Sequence, residues 1–255
     1  MKTILKILAI ALPFLRDLLL ELYVNDQKKA IIANATNAKP QKLRSTKKKK
    51  ITIHRAHIPE KYWPPIRKET KCVVSHNTLD PAKYDKSILR VFLDYFGSKD
   101  AKGVSCQMYI DRTGKIFELV PMNRACNQSG NWELNQVSIG IEKEPIPGDP
   151  DRKFTSETLD AEKWLLCKIA ERYNWEPADF LYANQGELLK GRVGSTLKFH
   201  FQIVDTKRGP DNGCPRWFEK NPGFGLNYCK QLAERFTKVQ SGKIDLSWEF
   251  VEYKG

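Results

Sequence analysis

Histidine is scarce in this chain: His54, His57, His76 and His200 are the only four in 255 residues. Cysteine is thin as well. The six present (Cys72, Cys106, Cys126, Cys167, Cys214 and Cys229) lie far apart with no CxxC pair, outside the patterns of paired-cysteine metal motifs and of disulfide-dense scaffolds. Long hydrophobic runs are also missing. The uninterrupted apolar stretch from Ile7 to Leu15 is about half the length a bilayer crossing needs, which argues against a simple transmembrane helix. None of the common aromatic-basic recognition motifs occurs, so no specific nucleic-acid partner is expected.

Positive charge is what the chain has in excess. Lysine and arginine outnumber aspartate and glutamate by 43 to 30, a net charge of +13, which favours polyanionic partners such as an anionic lipid surface or an acidic wall polymer. The charge is concentrated early. Residues 1–33 pair a basic start with a short apolar centre, a pattern that fits either a weak export signal or an amphipathic helix docking on a membrane or partner. Residues 34–50, ending "KKKK", are polar and basic without hydrophobic period and read as a solvated linker. The folded domain is expected over 51–255.

Within that domain, Cys72 to His76 is short, apolar and β-branched at its centre, and reads as a strand. "KSILRVFLDYF" has helical spacing, and "GVSCQMYIDRTGKIFELVP" reads as two strands around a turn whose Gly114 can take positive φ. "SETLDAEKWLLCKIAERYNW" is expected to be a long amphipathic helix with Ser156 as its N-cap, and "GLNYCKQLAERFTKV" a closing helix. Strands and helices alternate without internal repeats, so the expected fold is α/β, a central mixed sheet flanked by helices on both faces.

Two of the rare histidines sit where chemistry is done. His76 ends a strand, the position at which open α/β sheets form their crevices, and the period of two in "LKFHFQIV" sends Lys198, His200 and Gln202 to the face opposite Phe199 and Phe201. The turn "DNGCPRWF" follows, offering Asp211 or Cys214 as a third donor. Two imidazoles with one thiolate or carboxylate make the ligand set of a catalytic Zn2+ site. In "SIGIE", Ser138, Gly140 and Glu142 share one face, and a glutamate there can take a proton from a metal-activated water and pass it to a leaving amine. The glycine is expected to leave room for a ligand beside that carboxylate. His54 and His57 lie in an extended, proline-ended segment and are not expected to ligate.

The stretches "VVSHNT", "VSCQMYIDRTGKIFELVP", "RACNQSGNWELNQVSIGIE" and "H…CPRWF" resemble, in order and spacing, the zinc-dependent N-acetylmuramoyl-L-alanine amidases, the superfamily of phage lysozyme-like endolysins and peptidoglycan recognition proteins. The resemblance spans roughly Lys71 to Lys238. It implies that His76, His200 and Cys214 (or Asp211) hold zinc, that Glu142 is the catalytic carboxylate, and that Asn77, Thr78, Cys106, Gln107 and Asn127 fall at substrate-binding positions. It also implies the substrate: peptidoglycan or muropeptides, cut at the amide between the lactyl group of N-acetylmuramic acid and L-alanine. The chain departs from the family at Cys106 and Gln107, where many members have tyrosine or alanine followed by histidine, and at Asn127, where many have histidine. A muropeptide-binding protein without turnover on the same fold is the alternative. The implied location is the cell envelope, or the host cytoplasm for a phage endolysin.

Overall fold

The computed structural model describes residues 47–101, 104–180, 197–199 and 215–254. Seven strands form one sheet: β1 (Lys47–Arg55), β2 (Cys72–Asn77), β3 (Met108–Ile110), β4 (Ile116–Glu118), β5 (Ser138–Lys143), β6 (Leu197–Phe199) and β7 (Ile244–Glu252), in the order β6-β2-β5-β3-β4-β1-β7. Among these, β3 with β4 is the antiparallel pair; every other pairing is parallel. The hairpin closes as its sequence predicts. Gly114 has φ +81°, and Asp111 Oδ1 accepts from the amides of Thr113 (2.8 Å) and Lys115 (2.9 Å), fixing the turn.

The helices are α1 (Ile88–Phe96), α2 (Trp132–Asn135), α3 (Ser156–Arg172), α4 (Arg216–Lys220) and α5 (Pro222–Gln240). Ser87 caps α1 through its hydroxyl, which accepts from Arg90 N. Ser156 is the first helical residue of α3 rather than its cap. Thr155 caps instead, its hydroxyl accepting from Thr158 N at 3.1 Å, because Thr155 is the residue that retains extended φ/ψ.

Alternation along the strands feeds two cores. Ile53, Val73, Met108, Ile110, Ile139 and Ile141 pack against Leu165, Leu166 and Ile169 of α3 and Leu232 and Phe236 of α5. On the opposite face Tyr109 and Phe117 pack against Ile88, Leu89, Phe92 and Phe96 of α1. Burying both faces is why β2 and β5 are almost wholly buried.

Into the first core the sheet sends a charge. Lys143 is fully buried, its Nζ bonded to both oxygens of Glu162 (2.8 Å each) and to Ser75 Oγ (2.5 Å), between the rings of Phe154 and Phe218; Tyr228 OH donates to Glu162 Oε2 at 2.6 Å. One lysine thus ties β2, β5, α3 and α5 together.

At the other end of the sheet the structure differs from the expected linker. Lys47–Lys50 are the first four residues of β1, paired with Ile244 to Ser247 of β7. Lys50 Nζ lies 2.5 Å from Glu249 and Lys49 Nζ stands over the Trp164 ring. Composition reads four lysines as solvated; an edge partner and an aromatic surface make them strand. β7 itself, "IDLSWEFVE", is an element the sequence reading passed over. Lys168 Nζ donates to Leu246 O at 2.9 Å, partly covering this outer edge.

Candidate functional site

The C-terminal ends of β2 and β5 build the candidate centre. Their parallel register sets His76 directly beside Glu142, and Tyr109 of β3 flanks Glu142 on its other side, so all three project to the α1 face of the sheet. Ser138 and Gly140 share that face, as the "SIGIE" alternation predicts.

His76 is 2% exposed. Its Nδ1 lies 3.9 Å from Glu142 Oε1, too far for a hydrogen bond, and its Nε2 lies 2.5 Å from Gln128 Oε1. Glu142 keeps 18% of its side-chain surface, and its second oxygen, Oε2, is buried with no hydrogen-bond partner among the described residues. Burial pushes its carboxyl up to about 8, the neighbouring Lys143 opposing that only in part. A carboxylate with an orphaned oxygen beside an imidazole is the environment a cation and its water would complete, so this pair fits a zinc site. The other proposed ligands, His200, Cys214 and the alternative Asp211, lie outside the described residues. Among the described residues no group of three or more His, Cys, Asp or Glu could hold a metal ion.

His54 and His57 lie elsewhere, at the end of β1 and just after it. His54 packs against Phe117, and His57 Nε2 lies 2.9 Å from Glu118 Oε2. Three strands separate β1 from β2, roughly 19 Å of sheet.

The expected substrate-binding residues divide. Asn127 is exposed, in a groove of about 350 Å³ whose lining includes Tyr62, Trp63, Phe96 and Trp132. The four others are buried. Gln107 is fully buried, its Oε1 accepting from Gly140 N (2.6 Å) and its Nε2 donating to Arg124 O (2.7 Å), so its amide is spent on the backbone. Cys106 is buried, with its thiol on Met108 O. Asn77 pairs with Lys143 and so projects to the α3 face, opposite His76. Thr78 is buried with its hydroxyl on Leu79 O. Strand parity and burial, not residue type, decide these four.

Gly140 also has a different role from the one expected. A Cβ there would meet Gln128 Cγ at 2.7 Å and Cδ at 2.9 Å, so the space the glycine opens belongs to Gln128, a residue the sequence reading did not single out. The loop carrying Gln128 hangs on Asn135, whose Oδ1 accepts from Ser129 N (3.0 Å), Ser129 Oγ (2.7 Å) and Gln128 N (3.3 Å), and whose Nδ2 donates to Asn127 Oδ1 (2.8 Å). Buried Arg67 ties the same loop to β5 by donating to both Arg124 O and Ser138 O, 3.1 Å each. No sequence pattern marks these contacts, because each joins residues distant in the chain.

The family model described as N-acetylmuramoyl-L-alanine amidase matches residues 66–212. Among solved structures, the Staphylococcus aureus hydrolase AmiA in complex with its ligand is similar in fold, with TM-score 0.53 and 14% identity over 87% of this chain and 93% of that one. A mutant endolysin from Bacillus subtilis aligns with TM-score 0.48 and 19% identity over 70% of this chain and 99% of that one. No curated protein matches. With more than half of its length inside that family model, on this sheet and with this histidine–glutamate pair, the chain belongs to the N-acetylmuramoyl-L-alanine amidase family.

Proposed function

We propose that this protein hydrolyses the N-acetylmuramoyl-L-alanine amide of peptidoglycan with Glu142 as its proton-transferring carboxylate and with zinc held by His76, His200 and Cys214. Membership of the amidase family gives the activity and the substrate polymer; the residue roles are our reading. The observation that carries them is the β2–β5 register, which brings one imidazole and one carboxylate together at the strand ends with Glu142 Oε2 unpartnered.

Zinc, when bound, supplies Lewis acidity at the scissile carbonyl and makes a water acidic near neutral pH. Glu142 would accept the proton of the attacking water and return it to the departing alanine nitrogen; its buried position keeps its affinity for that proton high enough for both steps. His200 is the residue that follows Phe199, the last described residue of β6, which lies beside Ser75 of β2. Cys214 is preferred to Asp211 because a thiolate with two neutral imidazoles leaves a site of net charge +1 and because Pro215 and Trp217 follow it. The groove at Asn127 would receive part of the muropeptide, its aromatic rings offering faces for sugar or peptide. Residues 1–33 and the basic stretch after them would hold the enzyme near a membrane or an anionic wall polymer.

Glu142→Gln tests the central role. The variant is expected to lose about 10²–10⁴-fold in muropeptide cleavage, read by mass spectrometry, while its zinc content stays at the parental level. Cleavage at the parental rate would remove Glu142 from the mechanism.

A further inference from the structure

We infer that the groove beside Asn127 takes the stem peptide rather than the glycan, and that Lys61 and Lys99 read a free carboxylate there and so set the preference among stem peptides. The inference deepens the proposed reaction and rests on it only for the ligand being a muropeptide.

One wall of this groove is added to the family sheet. Residues 61–65 precede the stretch that the family model matches, 66–212, and the backbone fixes them in place. Ala125 N donates to Pro65 O at 2.8 Å, Arg124 Nη1 donates to Pro64 O at 3.3 Å, and Ile66 bridges Arg124 in antiparallel fashion. Trp63 is held as well. Its indole nitrogen donates to Ile58 O at 2.9 Å, the His57 ring meets it edge-on, and the Arg124 guanidinium lies 5.2 Å from its ring centre. A wall fixed in this way has little freedom left to lose when a ligand arrives. Trp132, the first residue of α2, adds a ring that is 49% exposed, a large apolar face open to a partner. The groove adjoins the candidate centre, because Asn127 lines it and the next residue, Gln128, touches His76.

Charge decides between the two halves of the substrate. The described lining includes two cations, Lys61 and Lys99, and no aspartate or glutamate; Glu60 and Asp100, their neighbours in the chain, lie outside it. Lys61 Nζ stands 5.0 Å from the centre of the Tyr62 ring, which also lines the groove. In the substrate the lactyl carboxyl of muramic acid is consumed in the scissile amide, so the glycan at that bond is neutral. The peptide keeps at least its terminal carboxylate. Aromatic faces suit either half, but two ammonium groups with no counter-charge in the lining suit the peptide.

The experiment uses the full chain. With metal chelated, so that bound ligand is not turned over, it is titrated calorimetrically with an N-acetylmuramoyl tripeptide bearing free carboxylates and with the same compound fully amidated. Cleavage of both by the zinc-loaded protein is followed by mass spectrometry. The acidic compound is expected to bind about 3–30-fold more tightly, the scale of two partly exposed ion pairs, and to lose that advantage at high salt. Lys61→Gln with Lys99→Gln is expected to bind both compounds alike, at the parental affinity for the amide, whereas arginine at both positions keeps the preference. Equal affinities in the parental protein, binding of neither compound, or a preference that survives in the glutamine variant would overturn the inference. So would a fall in both affinities together in that variant, which is a structural effect, or a neutral N-acetylglucosamine oligomer that binds as tightly as the acidic muropeptide. A preference lost in the glutamine variant of a protein that cleaves neither compound would uphold the subsite and sink the amidase reading.

Discussion

At position 140 a hydrogen atom stands where any other residue would put a carbon, and the site depends on it. The middle of the Gln128 side chain fills that space, so Gly140→Ala forces Gln128 to move rather than merely crowding a flexible tip. We expect a loss of about 1–3 kcal/mol in urea denaturation, the usual scale of overpacking, together with weakened zinc binding as Gln128 leaves His76. Adding Gln128→Ala to that variant should recover stability but not zinc affinity, since it removes the clash and the His76 contact together. Strict additivity of the two stability changes would show that the clash is not the cause. At the same scale, the amide of buried Gln107 satisfies two backbone groups, accepting from Gly140 N and donating to Arg124 O.

Among the elements, the β1–β7 ladder decides where the folded unit begins. A protein starting at Ile51 lacks the four β1 residues that pair with Ile244 to Ser247, the Lys50–Glu249 contact and the Lys49–Trp164 contact. Backbone hydrogen bonds contribute about 1 kcal/mol each and an exposed ion pair less, so the lost ladder is worth about 3 kcal/mol. Compared with a protein starting at Lys47, we expect the melting temperature to fall by roughly 6–12 °C. Muropeptide cleavage by folded enzyme should be equal in the two, because His76 and Glu142 lie on strands well removed from β1 in the sheet. Equal melting temperatures would mean that these lysines act as a tether after all.

Across the whole molecule, the described thiols behave as one class. Cys72, Cys106, Cys126, Cys167 and Cys229 are all buried and unpaired. Burial raises each above the ordinary thiol value, Cys72 to about 11 and Cys126 and Cys167 to about 12. Below the unfolded value, roughly 8.5, both states keep their protons and pH has no effect through these groups. Above it the unfolded chain ionises while the native one does not, so the stability they contribute is lost as pH rises toward 11 or 12. The unfolding free energy read from urea titrations under reducing conditions is expected to fall between about pH 8 and pH 10, by up to about 1.4 kcal/mol per thiol per pH unit, with a matching fall in the midpoint, and less steeply in Cys72→Ala. A midpoint constant over that range would show that these thiols are not held neutral by the fold.

What the sequence determined by itself is what local rules govern. A short β-branched apolar run identified β2, and period-two alternation identified the shared face of Ser138, Gly140 and Glu142 on β5; helical spacing identified α1, α3 and α5; Gly114 identified the hairpin. Scarcity made His76 conspicuous, and motif spacing tied it to an amidase. What only the tertiary structure decided depends on partners far along the chain. Lys47–Lys50 become strand because β7 returns from the other end of the chain to pair with them. Lys143, next to the candidate catalytic glutamate, turns to the opposite core because adjacent strand residues alternate faces, and Glu162 of α3 meets it there. Gln128 reaches His76 across 52 positions of sequence, held by Ser138, Asn135 and the missing side chain of Gly140, and nothing short of the folded sheet could bring those residues together.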